Sequence, residues 1–199
     1  MKKITLTLLT LFCTIGIYAQ QENKFRVDFG IGYTAPKGGG GILVNLEPKW
    51  NIKDNMAVGI RLGAAAMAKE IEISDDESSS EAKLSSNGSY VGTFEYNFNN
   101  GNSSFAPFVG AGIGYFSIAN LEFSSSDTIE GQTSLDASGK IGGMLRTGFD
   151  WGKFRLAAEY NLIPESEVQN LNGDNTGEIA NSYLGVSLGF FVGGGKWGR

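Results

Sequence analysis

Apolar and polar residues alternate in eight segments of this chain, and turn-forming residues separate the segments. In residues 25–33 every odd-numbered position is aliphatic or aromatic, whereas the even-numbered positions are Arg26, Asp28 and two glycines. A period of two is typical of a β-strand whose two faces meet different environments. The same pattern recurs in residues 42–52, 56–63, 89–98, 105–116, 140–151, 154–162 and 184–192. The pattern therefore predicts an all-β protein with eight strands.

The end of the third segment is ambiguous. Residues 62–72 read LGAAAMAKEIE and are rich in helix formers. Because the neighbouring segments all alternate, we expect the third strand to continue to about Met67. A strand that ends earlier and runs into a short helix is the alternative.

The connections between the segments differ in length. Residues 51–55, 99–103 and 152–153 form short turns, residues 35–41 form an intermediate Gly-rich connection, and the long, Ser-rich and acidic loops are 69–88, 117–134 and 164–181. Short turns at one end and long loops at the other indicate an antiparallel up-and-down barrel and are typical of outer-membrane barrels. A soluble, lipocalin-like barrel would alternate in the same way, with its apolar face turned inward.

Aromatic residues favour the membrane barrel, because they lie at the ends of the strands. The short-turn end carries six and the long-loop end four: Phe25, Trp50, Phe98, Phe105, Trp151 and Phe154, then Tyr33, Tyr90, Tyr115 and Tyr160. Two aromatic belts beside an aliphatic band match the two interfaces of a bilayer. The sequence therefore predicts an eight-stranded antiparallel transmembrane β-barrel with its apolar face toward lipid.

The first 19 residues have the features of a secretory signal peptide. Lys2 and Lys3 precede an apolar segment at 4–17, and Ala19 is a small residue suited to the position before cleavage. We expect residues 1–19 to be cleaved and residues 20–199 to form the barrel domain. An uncleaved anchor helix is the alternative, and the shortness of the apolar segment disfavours it.

The composition excludes several kinds of chemistry. The chain has no His, and its single cysteine, Cys13, lies in the leader. The usual zinc and copper sites and the His-dependent catalytic triads are therefore excluded, and we expect no cofactor and no enzymatic activity. The net charge is −5 and becomes more negative by two when Lys2 and Lys3 are removed. We expect no nucleic-acid partner, because phosphate binding needs clustered Lys and Arg.

Charged residues of both signs occupy the polar faces of the predicted strands. The basic ones are Arg26, Lys49, Arg61, Lys140, Arg146 and Arg155, and the acidic ones are Asp28, Glu47, Glu95, Asp150 and Glu159. An eight-stranded barrel has an interior only wide enough for side chains. We therefore predict an interior charge network in which these groups pair, fix the strand register and plug the lumen. A proton or ion path along the same residues is the alternative.

The long loops are acidic, and two segments of them are candidates for binding divalent cations. SDDESSSE at 74–81 and NGDNTGE at 172–178 could offer carboxylate oxygens to Ca²⁺. Neither segment has the spacing of an EF-hand, and solvated loops without a bound ion are the competing interpretation.

Three segments carry a resemblance to a known family: FAPFVGAGIGYF at 105–116, GGMLRTGFDWGKFRLAAEYN at 142–161 and NSYLGVSLGFFVGGGKW at 181–197. They resemble the small outer-membrane β-barrel proteins grouped with OmpX, the OmpA barrel and OmpW. The resemblance implies an integral outer-membrane protein with both termini in the periplasm. Its implied partners are outer-membrane lipid, lipopolysaccharide and the barrel-assembly machinery, for which Phe191 or Trp197 would be the recognition aromatic.

Three functions are compatible with this interpretation. The first is a non-enzymatic surface protein that supports the envelope and adheres or binds an external ligand through its acidic loops. The second is a narrow channel for small or hydrophobic solutes, as the resemblance to OmpW would allow. The third is a soluble carrier. Paired interior charges predict a closed lumen, whereas Gly110, Gly112 and Gly114 would permit a cavity.

Overall fold

The computed structural model describes residues 21–36, 39–71, 81–99, 101–121, 136–169, 175–195 and 197. Eight antiparallel strands close into a barrel in the order β1-β10-β7-β6-β5-β4-β3-β2. They are β1 (Phe25–Pro36), β2 (Gly39–Lys53), β3 (Met56–Ile71), β4 (Glu81–Asn97), β5 (Phe105–Leu121), β6 (Asp136–Trp151), β7 (Phe154–Leu162) and β10 (Tyr183–Gly193). The prediction of an eight-stranded up-and-down barrel is confirmed. The leader, residues 74–80 of the first acidic segment and residues 172–174 of the second lie outside the described residues.

The ambiguous stretch after Leu62 is strand, so the helical alternative is wrong. Residues 62–69 pair with β2 and residues 56–71 pair with β4 along an unbroken ladder. Hydrogen bonds to two neighbouring strands outweigh the intrinsic helix preference of Ala and Lys, which is a weak determinant of structure. No helix in the described residues is long and apolar enough to cross a membrane.

The strands at the long-loop end are longer than the alternation predicted. β4 begins at Glu81 and β5 continues to Leu121, both within segments expected to be loop, and β6 begins at Asp136, four residues before the predicted strand. The third long loop also contains a two-stranded sheet of β8 (Ser166–Gln169) and β9 (Asn175–Ile179). These residues are mostly polar on both faces, so the sequence offers no apolar period that would reveal a strand.

The apolar face of the barrel points outward and the charged face points inward. Phe154, Ile141 and Ile113 are 74 %, 70 % and 69 % exposed, whereas Arg26 and Asp150 are 1 % and 0 % exposed. A barrel that displays an aliphatic and aromatic surface and buries its charges is built for lipid rather than for water. The interpretation as a soluble carrier is therefore wrong.

Interior glycines provide the space that long side chains occupy. A Cβ atom at Gly63 would lie 2.6 Å from Nη1 of Arg61, and one at Gly110 would lie 3.0 Å from Nε of Arg146. A larger residue at either position would displace a guanidinium group. At these two positions glycine makes room for a buried guanidinium group.

Candidate functional site: the barrel interior

Eight charged side chains fill the interior at the short-turn end of the barrel, and we call them the charge cluster. Four are basic and four acidic, and each is at most 7 % exposed: Arg26, Lys49, Arg146, Arg155, Asp28, Glu47, Glu95 and Asp150. Strand pairing brings them to the same depth, since Arg26 lies opposite Lys49, Asp28 opposite Glu47 and Asp150 opposite Arg155. The charges of the cluster balance.

Glu95 lies at the centre of the charge cluster and contacts all four of its cations. Its Oε1 atom lies 3.2 Å from Nη2 of Arg26. Its Oε2 atom lies 3.0 Å from Nζ of Lys49 and 3.0 Å from Nη2 of Arg146. Arg155 also donates to Oε2. A carboxylate shared by four cations holds together strands that are far apart in the sequence.

The other three carboxylates are each paired as well. Arg146 donates two hydrogen bonds to Glu47, of 2.5 and 2.7 Å, in the bidentate geometry that guanidinium groups favour. Asp150 accepts hydrogen bonds from Arg26 at 3.0 Å and from Arg155 at 2.9 Å. The remaining carboxylate, Asp28, accepts from Arg26 and Lys49. Such pairing offsets the cost of removing the charges from water.

Two further charges of the predicted network form a separate pair nearer the long-loop end. Arg61 donates to Glu159 at 2.5 Å and to the hydroxyl of Ser89 at 3.3 Å. Asn161 donates to the same oxygen of Glu159 at 3.0 Å. This pair is buried and adds no net charge to the interior.

Lys140 was predicted to belong to the interior charge network, and the structure places it elsewhere. It lies opposite Phe116 near the long-loop end. Its Nζ atom donates a hydrogen bond of 2.5 Å to the backbone carbonyl of Glu165. The alternation placed it correctly on the inward face, but the face alone does not specify depth along the barrel. Lys140 therefore lies outside the charge cluster and in contact with the segment that follows β7.

Two aromatic residues that interrupt the polar face lie against the cationic groups. The guanidinium carbon of Arg155 lies 3.7 Å from the ring centroid of Phe108, and that of Arg26 lies 4.4 Å from the ring centroid of Phe191. The face of an aromatic ring attracts a cation, most strongly where water is excluded. Phe108 and Phe191 therefore complete the packing of the charge cluster rather than interrupt it.

One small cavity lies next to the charge cluster. It lies between Asp28, Glu47, Arg61 and Arg146 and has a volume of about 10 Å³. A site of this size holds about one water molecule.

Above the charge cluster, toward the long-loop end, apolar side chains pack in the interior beside Arg61, Glu159 and Asn161, a feature that sequence reasoning missed. Nine residues form a buried cluster there, which we call the apolar chamber: Leu43, Ala65, Met67, Val91, Phe116, Ile118, Met144, Ile163 and Tyr183. The available signal in the sequence was that several inward-facing positions near the long-loop ends of the strands are apolar. Its meaning emerges only when strand pairing brings these positions together.

A groove on the outer surface lies at the top of β7, beside the apolar chamber. The ladder between β6 and β7 begins at Gly143, which lies opposite Leu162, although β6 itself begins at Asp136. Pro164 follows the end of β7, and proline donates no ladder hydrogen bond. The groove has a volume of about 470 Å³, and its lining includes Ile163, a member of the chamber.

All ten residues of the predicted aromatic belts point away from the interior. Their exposure ranges from 43 % for Tyr160 to 74 % for Phe154. Strand pairing places Phe25 opposite Trp50 at the short-turn end and Tyr90 opposite Tyr115 at the long-loop end. The positions of the ten residues match the two interfaces of a bilayer.

Phe191 and Trp197 point into the barrel, at 2 % and 6 % exposure. The aromatic of the last strand that faces outward is Phe190, at 51 % exposure. Neither of the two aromatics named from the resemblance therefore faces outward. In the described residues no group of three His, Cys, Asp or Glu could hold a metal ion.

Comparisons with known proteins agree with this geometry. The chain is 26 % identical over 161 residues to outer membrane protein W of Vibrio cholerae, covering 73 % of this chain and 74 % of that protein. The crystal structure of the outer membrane protein OprG from Pseudomonas aeruginosa superposes with a TM-score of 0.62 at 14 % identity, covering 89 % of this chain and 99 % of OprG. Residues 5–190 match the family described as outer membrane protein beta-barrel domain. The chain therefore belongs to this family of β-barrel proteins of the outer membrane.

Proposed function

We propose that this protein is a non-enzymatic integral barrel whose lumen is closed to ions and water by the charge cluster. The observation that carries the proposal is the balanced set of eight buried charges with about 10 Å³ of free space beside it. With the lumen closed, the surfaces left for function are the loops and the outer wall. An envelope-supporting or surface-binding role through the acidic loops is consistent with this arrangement.

We place both termini in the periplasm. The described ends of the chain lie at the short-turn end, because Phe25 pairs with Trp50 and Gly193 pairs with Arg26. In outer-membrane barrels the short turns face the periplasm and the long loops face the outside. The acidic loops are then exposed on the cell surface, and lipopolysaccharide surrounds the upper aromatic belt.

The refolded protein is expected to be electrically silent in a planar bilayer. The physical reason is that an ion would have to displace buried, paired charges to pass. Insertion is verified first by the heat-modifiable mobility of the barrel on gels. Reproducible open steps from the unmodified protein would contradict the closed lumen and favour the ion path along the charged residues.

A second candidate function is passage or binding of small hydrophobic solutes in the outer half of the barrel. Two observations favour it: the apolar chamber above the charge cluster, and the groove beside β7 that shares Ile163 with the chamber. A solute of this kind would move between the loop side and the membrane without crossing the charge cluster.

Filling the groove is expected to block that route. Gly143 lines the groove, and a Cβ atom there would meet its neighbours no closer than 3.8 Å, so the backbone leaves room for the side chain of Gly143→Phe to extend into the groove. The probe is decanol carrying a photoreactive diazirine, and the readout is labelling of peptides that contain Ile163 and Tyr183. We expect labelling that excess decanol competes away and that Gly143→Phe reduces several-fold.

Gly88→Phe is the matched control for this experiment. A Cβ atom at Gly88 meets nothing within 4 Å, so the same side chain is added to the outer wall on β4, away from the groove. Equal, non-competable labelling of both variants would reject the hydrophobic route and leave the closed lumen untouched.

A further inference from the structure

The chain turns back beneath the barrel after β10. Gly193, Gly194 and Gly195 have φ values of 82°, 67° and 69°, a conformation that residues with a Cβ atom rarely adopt. The backbone N–H of Gly194 donates a hydrogen bond of 2.9 Å to the carbonyl of Phe25. Three consecutive residues of this kind reverse the chain and send it across the short-turn mouth of the barrel.

The reversal buries an aromatic side chain at the mouth. Trp197 is 6 % exposed and packs in a cluster with Phe191 and Ala106, which are 2 % and 0 % exposed. Phe191 in turn lies beneath the guanidinium group of Arg26. Trp197 therefore covers the charge cluster from the short-turn end.

One lysine attaches this tail to the neighbouring turn. Nζ of Lys153, in the turn between β6 and β7, donates to the carbonyl of Gly193 at 2.5 Å and to that of Gly195 at 2.6 Å. The same Nζ atom lies 4.7 Å from the ring centroid of Phe191. The tail is thus held by two hydrogen bonds from one flexible side chain and by the backbone hydrogen bond from Gly194 to Phe25, and the ladder between β10 and β1 ends at Gly193.

The closed position of the tail leaves a polar group without a partner. The indole Nε1 of Trp197 is buried and has no hydrogen-bond partner among the described residues. A buried donor without a partner disfavours the state that buries it, because the same N–H would bind water when exposed. Segments with few ladder bonds open locally without global unfolding.

We propose that Gly193–Gly195 and Trp197 form a latch that seals the short-turn mouth beneath the charge cluster. The latch opens when the tail detaches from Lys153 and from the carbonyl of Phe25, which admits water from that side to Arg26 and Asp150 while the barrel stays folded. This seal is separate from the closed lumen of the proposed function, since the charge cluster lies on other strands and stays in place when the latch opens.

The test measures access of a charged reagent to the sealed mouth. Ala106→Cys places a thiol in the aromatic cluster, and Cys13→Ser removes the chain's other cysteine. The reagent is a sulfonated maleimide added to the folded protein in vesicles permeable to it. We expect slow labelling in this parent and labelling at least about tenfold faster after Trp197→Ala, because the mouth is then open for a larger fraction of the time.

Trp151→Ala is the matched control, because Trp151 lies at the same end of the barrel on the lipid face, at 65 % exposure. Its labelling rate is expected to equal that of the parent. Lys153→Gln tests the attachment while leaving the aromatic cluster intact, and intermediate acceleration is expected. Trp151→Ala and Lys153→Gln are both checked for the heat-modifiable gel mobility of a folded barrel.

Two results would overturn the latch. One is a parent that is labelled as fast as the denatured protein, which would mean that the mouth is not sealed. The other is equal, slow labelling in the parent, Trp197→Ala and Lys153→Gln, which would mean that the seal does not depend on the tail. If Trp197→Ala fails to fold, Lys153→Gln alone decides between these outcomes.

Discussion

Glu95→Gln is expected to destabilise the barrel by roughly 3–5 kcal/mol, the range seen when one member of a buried ion pair is removed. Glu95 contacts Arg26, Lys49, Arg146 and Arg155, so the substitution leaves four buried cations facing three carboxylates. The measurement is the urea midpoint of the heat-modifiable form in lipid vesicles.

Two further variants make this prediction specific. Glu165→Gln removes a carboxylate that is exposed at the end of β7, and its midpoint is expected to stay within about 0.5 kcal/mol of the parent. The double variant Glu95→Gln with Lys49→Met restores three cations and three anions, and we expect it to recover part of the lost stability. If Glu95→Gln unfolds at the midpoint of the parent, the charge cluster does not stabilise the barrel.

Glu95→Gln also tests the proposal that the lumen is closed, through the ion selectivity of any current that the variant carries. Any current through Glu95→Gln in a planar bilayer is expected to be anion-selective, because the variant interior carries one uncompensated positive charge. Cation-selective steps would place the conducting path elsewhere in the molecule.

Ile60→Arg is expected to destabilise the membrane-inserted barrel by about 2–4 kcal/mol, the cost of a basic residue on the lipid face at the bilayer midplane. Ile60 is 58 % exposed on the outer face of β3. Its outward neighbours on the strand are Val58, which lies opposite Trp50 of the lower belt, and Leu62, which lies opposite Tyr90 of the upper belt. Ile60 thus lies midway between the two interfaces.

Ile52→Arg is the matched control, with the same substitution on the same face. Ile52 lies two residues beyond Trp50 toward the short turn, at 40 % exposure. An arginine there reaches the interface and is expected to cost at most about 1 kcal/mol. Equal urea midpoints for the two variants in vesicles would contradict the position of the membrane that the aromatic belts indicate.

The alternation of residues determined the strands and their faces because side-chain direction in a strand has a period of two. It predicted β7 to the residue, and it separated the inward charges from the outward aromatics correctly. This information is local, so each strand could be assigned from its own ten residues. The family resemblance pointed to the same barrel.

The contacts within the interior depended on the tertiary structure. Arg26 and Asp150 are separated by 124 positions and meet only because β1 and β6 face each other across a closed barrel. Lys140 shows the limit clearly: it has the sign and face of a cluster member, yet its depth along the barrel places it beside Glu165. Depth depends on strand pairing and on barrel closure, and neither is encoded in the alternation of one segment.

The apolar chamber and the latch also depend on the tertiary structure and not on the alternation within one strand. Leu43, Phe116 and Tyr183 lie on three separate strands, so their shared cluster exists only after the strands are paired. The run of glycines before Trp197 allows the chain to reverse its direction. The reversal buries Trp197 only because Ala106 and Phe191 offer an apolar surface at the mouth. The sequence by itself determined which side chains face lipid and which face the lumen. The tertiary structure decided which inward side chains touch, since contact across a barrel depends on closure and register rather than on sequence distance.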